Sequence, residues 1–259
     1  MAVWKPPDRD VDVGTLLADI EALASCEKEG VLHRVLRRVM AGMDIRQFLF
    51  CTFSVGAEGA CSHHHFLVGC APGWMQLYQQ RHWYHNDPFL AHARAQARPA
   101  LGSQLPCQSV GQQQMREMAA RYGFRSCMVV PAHDSTHVFV GALLVANEDD
   151  PREGGEARLW RWQVLLRALS TILLEQRLSV HQRDLLQAWQ LGARDLDMLA
   201  LVSDGLAAHE VAARLSLSVS TVYAAYARLN EKLGVARIQE SARLVRQYGL
   251  LSACQALGR

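Results

Sequence analysis

Over positions 11–26, and again over 30–43, apolar residues return every three or four positions: Leu16, Leu17, Ile20 and Leu23, then Val31, Leu32, Val35, Leu36 and Val39. That period predicts two amphipathic helices. The pattern then turns strand-like over 45–55, with Phe48, Phe50, Thr52 and Phe53, and over 64–70. A helix at 74–81 follows, and a stop at Asp87-Pro88, where proline disfavours helical backbone in the residue before it. Next come a helix at 89–97, a loop at 98–109 containing Pro99 and Pro106, and a helix at 110–122 ending on Gly123, a suitable C-cap. Strands at 127–131 and 137–147 flank an Ala-His-Asp-Ser-Thr connection suited to a hairpin turn. This order predicts one antiparallel sheet with helices on its faces, an α/β/α sandwich.

Past a charged, glycine-containing loop at 148–156, positions 157–178 read as one long helix, apolar over much of its circumference. Such a helix suits either an internal core or a subunit interface. At 179–191 the pattern loosens into Gln, His, Arg and Asp, the composition of an interdomain linker with some helical character. The remainder carries no strand signal, only helical periods at 193–205, 208–215, 219–233 and 238–248. The chain is therefore expected to be α+β, with a domain at 11–178, a linker at 179–191 and an all-helical domain at 192–259.

Composition refines this picture. The 259 residues are 50% hydrophobic and 20% charged, which excludes a disordered chain. The longest apolar run, at 138–146, is nine residues, far short of the ~20 that span a bilayer. The first ten residues do not read as a secretory signal, so a soluble, cytoplasmic protein with no membrane partner is expected. Seven cysteines form no C-x-x-C pair and suggest neither a disulfide framework nor a zinc ribbon. The His63-His64-His65 run sits on a predicted strand, where neighbouring side chains point to opposite faces, so no metal site is expected. No nucleophile and base are placed by a motif, so no enzyme activity is expected either. The net charge of +2 is small, yet from residue 178 onward nine basic side chains face seven acidic ones, which puts the whole surplus in the helical domain.

That domain has the layout of a helix-turn-helix: a short helix at 208–215, a tight turn at 216–218 with Ser218 as N-cap, and a longer helix at 219–233 with Val222, Tyr226, Leu229 and Leu233 on one stripe. The residues Asp195, Leu199, Gly205, Glu210, Ala212, Leu215, Ser218, Thr221, Val222, Leu229, Lys232, Leu233 and Gly234 closely resemble the four-helix DNA-binding domain of the LuxR/FixJ class, with Asp195 standing where Glu is usual. The resemblance implies a DNA partner with a two-fold-related site. It assigns DNA contacts to Ser218, Ser220, Thr221, Tyr223 and Ala224, with Arg228, Lys232 and Arg237 as supporting cations. Relatives commonly carry Lys or Arg where this chain has Ser220 and Tyr223. Fewer phosphate contacts imply weaker DNA affinity and a shallower salt dependence. A helix-turn-helix kept as a structural or dimerising module stands as the alternative.

The domain in front lacks the acidic placement of a phospho-receiver. Its Trp74-x-x-x-Tyr78 followed by Asp87-Pro88 is similar to the autoinducer-binding domain of quorum-sensing LuxR regulators, over about 15–178. In that family the Trp donates to a lactone carbonyl, the Asp accepts from the signal's amide N–H, and the Tyr packs near the ligand. An indole N–H is a donor that brings its own apolar wall, and a buried carboxylate needs a donor, so the chemistry is coherent. Singly, the two aromatics would read as core and Asp87 as a turn or cap residue. Further pocket positions fall on Cys70, Cys127 and Leu144, which depart from the family pattern and make the acyl side more apolar. This favours an unsubstituted or aryl acyl group. The resemblance thus implies a transcriptional regulator controlled by a small acylated signal, an acyl-homoserine lactone, with no other cofactor. It would act as a homodimer, or alternatively as a ligand-independent or antagonistic regulator that heterodimerises with a relative or senses a different molecule.

Overall fold

Five antiparallel strands carry the first of two compact units, which divide between Arg177 and Leu178. The computed structural model describes residues 12–55, 61–135 and 138–251, and their side chains except at 55 and 61–64. The strands are β1 (Gln47–Val55), β2 (Cys61–Val68), β3 (Ala100–Leu101), β4 (Ser126–His133) and β5 (Phe139–Asn147), in the sheet order β2-β1-β5-β4-β3. In β1 the strand alternation sends Leu49, Cys51 and Phe53 into one apolar cluster with Cys127, Val129, Val140 and Ala142, while Phe48 and Phe50 are buried on the opposite face.

Helices α1 (Val13–Ala24) and α2 (Glu29–Gly42) bury Leu16, Ile20 and Leu23, and Leu32, Leu36, Val39 and Met40, most of the stripes expected from their spacing, while Leu17 is exposed and Val31 and Val35 are half-buried. His33 of α2 lies 6.4 Å from the Phe48 ring, which places that helix on the Phe48 face. The opposite face is covered by α3 (Pro72–Gln80), α4 (Pro88–Ala95) and α5 (Val110–Arg121), which contribute Trp74, Tyr78, Phe89, Met115 and Ala119 to the Leu49 cluster. The expected sandwich is thus present.

Three local differences from the sequence expectation have physical causes. Within the predicted loop at 98–109, Ala100 and Leu101 pair with Val129 and Met128, a strand too short to leave any periodic signal. The expected single helix at 157–178 is two, α6 (Gly155–Trp160) and α7 (Gln163–Ala188), separated at Arg161 and Trp162. Its apolar circumference is not all buried: Leu159, Trp162, Leu166, Leu169, Leu173 and Leu174 point inward, whereas Val164 is 63% exposed. Residues 179–191, expected as a linker, are helical as far as Ala188, and Leu185, Leu186 and Trp189 pack on the core of the second unit.

The second unit is helical throughout its described residues, with α8 (Ala193–Ser203), α9 (Ala208–Leu215), α10 (Val219–Leu233) and α11 (Ile238–Gln247) around Leu199, Val211, Val222, Leu229 and Val245. The turn between α9 and α10 puts Ser216 at φ +55°, a left-handed conformation uncommon outside glycine. Asp195 spans the unit: it accepts from Gly192 N–H, from Arg228 at 2.8 Å and from Lys232 Nζ at 2.8 Å, which ties α8 to α10.

Candidate functional site

Between the Leu49 face of the sheet and α3, α4 and α5 lies a cavity of about 760 Å³, counting the open space at its mouth. Trp74, Tyr78, Asp87, Cys127 and Leu144 all line it. Cys70 does not. It precedes the first turn of α3, which starts at Pro72, so the i−4 relation to Trp74 that a helix would supply is absent. Its thiol is buried in the same cluster, and burial pushes its pKa up to about 11.

Asp87 is held by local backbone geometry. Pro88 occupies the first turn of α4, and Asp87 caps that helix, with Oδ1 accepting Phe89 N–H at 2.7 Å. Its Oδ2 accepts the Tyr78 hydroxyl at 2.7 Å, so the Tyr78 proton is committed to the carboxylate. Burial nevertheless raises the Asp87 pKa, against the opposing hydrogen bonds from Tyr78 and from the Phe89 and Leu90 backbone. The Tyr78 pKa rises well above its usual value, through burial and then the neighbouring Asp87 charge. Trp74 stacks among Tyr78, Trp83, Tyr122 and Phe124, with ring centroids 5.6–5.9 Å apart, and its buried Nε1 has no partner among the described residues.

Beside the expected Trp74 and Asp87 and an acyl side expected to be more apolar than in relatives, the cavity has a further polar wall. Ser103, Arg116, Arg125 and Glu156 also line the cavity. Glu156 accepts Ser103 N–H at 2.8 Å and the Ser103 hydroxyl at 2.5 Å. Gly155 makes that placement possible, since a Cβ there would lie 2.2 Å from Ser126 Oγ and 2.7 Å from the Asp149 carbonyl. Arg116 donates to the carbonyls of Gly102 (2.8 Å) and Leu105, and its guanidinium lies over Phe89 at 5.4 Å. A signal for it was in the sequence: Arg116 falls on the inward stripe of α5 with Gln112, Met115 and Ala119, where an ordinary core would carry an apolar side chain. The Cys127 thiol donates to the Phe124 carbonyl at 3.4 Å, and burial pushes its pKa up to about 12.

In the second unit, α10 turns Val222, Tyr226, Leu229 and Leu233 inward and leaves Ser218, Ser220, Thr221, Tyr223 and Ala224 exposed. Ser218 Oγ accepts Thr221 N–H at 3.1 Å as N-cap, and it also meets the hydroxyls of Ser220 (2.8 Å) and Thr221 (2.7 Å). Tyr223 is 61% exposed, beside Val219 at 42%. Of the expected supporting cations, Arg228 and Lys232 are both engaged by Asp195, and Lys232 also donates to the Gln190 carbonyl at 2.6 Å. Arg237 is exposed at the start of α11. The side chains of His63 and His64 lie outside the described ones; among the described residues no cluster could hold a metal ion, and no helix is long and apolar enough to cross a membrane.

The autoinducer binding domain family matches residues 28–176, and the bacterial regulatory protein luxR family matches residues 190–245. No curated protein sequence matches the chain. Among solved structures, SdiA in complex with octanoyl-rac-glycerol is similar at a TM-score of 0.64 and 15% identity, over 95% of this chain and 98% of that one. Escherichia coli SdiA in another crystal gives 0.63 and 15%, over 92% and 98%. The N-acylhomoserine lactone dependent LuxR family factor CepR2 from Burkholderia cenocepacia gives 0.51 and 16%, over 62% of this chain and 92% of that one. With an autoinducer-binding domain followed by a luxR-type DNA-binding domain, the chain belongs to the LuxR family of signal-responsive transcriptional regulators.

Proposed function

We propose that this regulator senses an N-acyl-homoserine lactone in the cavity of its first unit and acts in the cytoplasm as a homodimer on a two-fold-related DNA site. The observation that carries the reading is the pairing of opposite hydrogen-bonding demands on one apolar wall. The Trp74 indole is a buried donor without a partner among the described residues, and Asp87 is a buried carboxylate whose pKa burial raises. A ligand with a carbonyl for the indole and an amide N–H for the carboxylate answers both. Tyr78 serves by holding Asp87 in place. Cys127 and Leu144 supply apolar wall beside them. In the second unit Ser218, Ser220, Thr221, Tyr223 and Ala224 face the DNA, while Arg228 and Lys232 contribute mainly by fixing α10 through Asp195. The test is mass spectrometry of the small molecules extracted from purified protein, paired with a gel shift on candidate operators. An acylated lactone in the extract and retardation that depends on it are expected; specific retardation indifferent to every acyl-homoserine lactone would refute the reading.

A second reading, an antagonist that heterodimerises with a related activator, draws on that same cation-poor α10. Specific retardation of DNA at low salt by this protein alone would exclude it.

A further inference from the structure

Two buried donors on the cavity wall have no partner among the described residues, Trp74 Nε1 and Arg116 Nε. Buried donors in this state are rare in folded proteins. Other polar groups on the wall are already engaged: the Tyr78 hydroxyl by Asp87, the Ser103 hydroxyl by Glu156 and the Arg125 guanidinium by Asp150 at 2.8 Å. Arg116 also sits at the Asp87 end of the cavity. Its guanidinium lies over Phe89, whose N–H donates to Asp87, and its positive charge works against the upward shift of the Asp87 pKa.

We propose that Arg116 is a second anchor for the signal, donating from Nε to one of its carbonyl oxygens while Trp74 donates to the other and Asp87 accepts the amide N–H. This rests on the acyl-homoserine lactone reading and deepens it. Such a ligand has one N–H and two carbonyls, and the wall offers one carboxylate and two free donors in complement. Arg116 is held ready for this role, since its terminal nitrogen is fixed by the Gly102 and Leu105 carbonyls and its plane by Phe89. The Asp87 end of the cavity therefore carries a specificity-determining cation, beside an acyl side expected to be more apolar than in relatives.

Isotope-edited infrared spectroscopy of the full chain with N-octanoyl-L-homoserine lactone, ¹³C-labelled at the amide carbonyl, tests the proposal because the two carbonyl bands are then resolved. Both bands are expected at lower frequency in the wild-type complex than in a solvent that donates no hydrogen bonds. In Arg116→Met one band should return upward and affinity should fall roughly ten- to a hundredfold, the loss expected for a charge-assisted hydrogen bond. In Trp74→Phe the other band should return. A single lowered band in the wild type, or two that stay lowered in Arg116→Met, overturns the role of Arg116. Should Arg116→Met fail to fold, the wild-type spectrum still decides, and Arg116→Lys, which retains the charge, should show a partial return of the same band. Absence of any binding by the wild type would instead overturn the acyl-homoserine lactone reading and the anchor with it, an outcome distinct from binding with one band lowered.

Discussion

Asp87 in the first unit and Asp195 in the second are both nearly removed from solvent, at 5% and 8% exposure, and both stand at the start of a helix. Their net pKa shifts differ in sign. For Asp195 burial is the largest single influence and raises the pKa, yet the Lys232 and Gly192 hydrogen bonds and the Lys232 and Arg228 charges outweigh it and leave the pKa lowered. For Asp87 burial prevails over hydrogen bonds from a hydroxyl and backbone amides and over the more distant Arg116 charge. One carboxylate is satisfied by its own chain and stabilises the fold. The other has its pKa raised by burial and is bonded to no cation, the arrangement expected of a group kept for a ligand.

The largest effect that would sharpen this contrast is on signal binding. Asp87→Asn removes the charge while keeping an oxygen for Phe89 N–H; its amide NH2 then faces the Tyr78 hydroxyl, which can turn to accept. Affinity for the acylated signal should fall by about 1.5–3 kcal/mol, or at least tenfold, in a calorimetric titration. The melting temperature without signal should hold or rise; a clear drop would make Asp87 a structural residue like Asp195. Next in size, Asp195→Ala strips a partner from Lys232, whose side chain is 24% exposed, and removes the acceptor for Gly192 N–H. A loss of about 1–3 kcal/mol in the denaturant stability of the second unit is expected, with signal binding unchanged.

The pH dependence separates the two carboxylates by sign. A lowered folded pKa means that Asp195 contributes its stability above the ordinary value of 3.8 and loses it as pH falls through the folded value. A raised one means that the contribution of Asp87 is complete below 3.8 and is lost as pH rises from there through its folded value. Melting curves from acid to neutral pH should therefore flatten at opposite ends in Asp195→Asn and Asp87→Asn. The smallest expected effect is that of Tyr223→Ala. At 61% exposure its stability should change by less than about 0.5 kcal/mol, while operator affinity falls in a gel shift.

The second unit was nearly legible in the sequence because its boundaries are local. Gly205 and Gly234 take positive φ at helix ends, and Ser218 caps α10 through a residue three positions away. The long-range contacts were not legible: Arg228 and Lys232 meet Asp195 from 33 and 37 residues along the chain, which gives two expected DNA cations a place in the fold as well. In the first unit the sheet and the placement of Trp74, Tyr78 and Asp87 on one cavity followed from strand patterns and from the family resemblance. The polar wall did not, because Ser103 and Glu156 meet only when the loop after β3 closes on α6, 53 residues later. Arg116 alone carried a readable sign, a charge on an inward stripe.

The most direct test of the account is the melting temperature of the full chain with and without N-octanoyl-L-homoserine lactone, in wild type and in Asp87→Asn. At a hundred times its dissociation constant the signal should stabilise the wild type by about 2.7 kcal/mol, and the variant far less. Equal stabilisation of both proteins, or of neither across a series of acyl chain lengths, would contradict the claim that Asp87 is the charge this fold keeps for its signal.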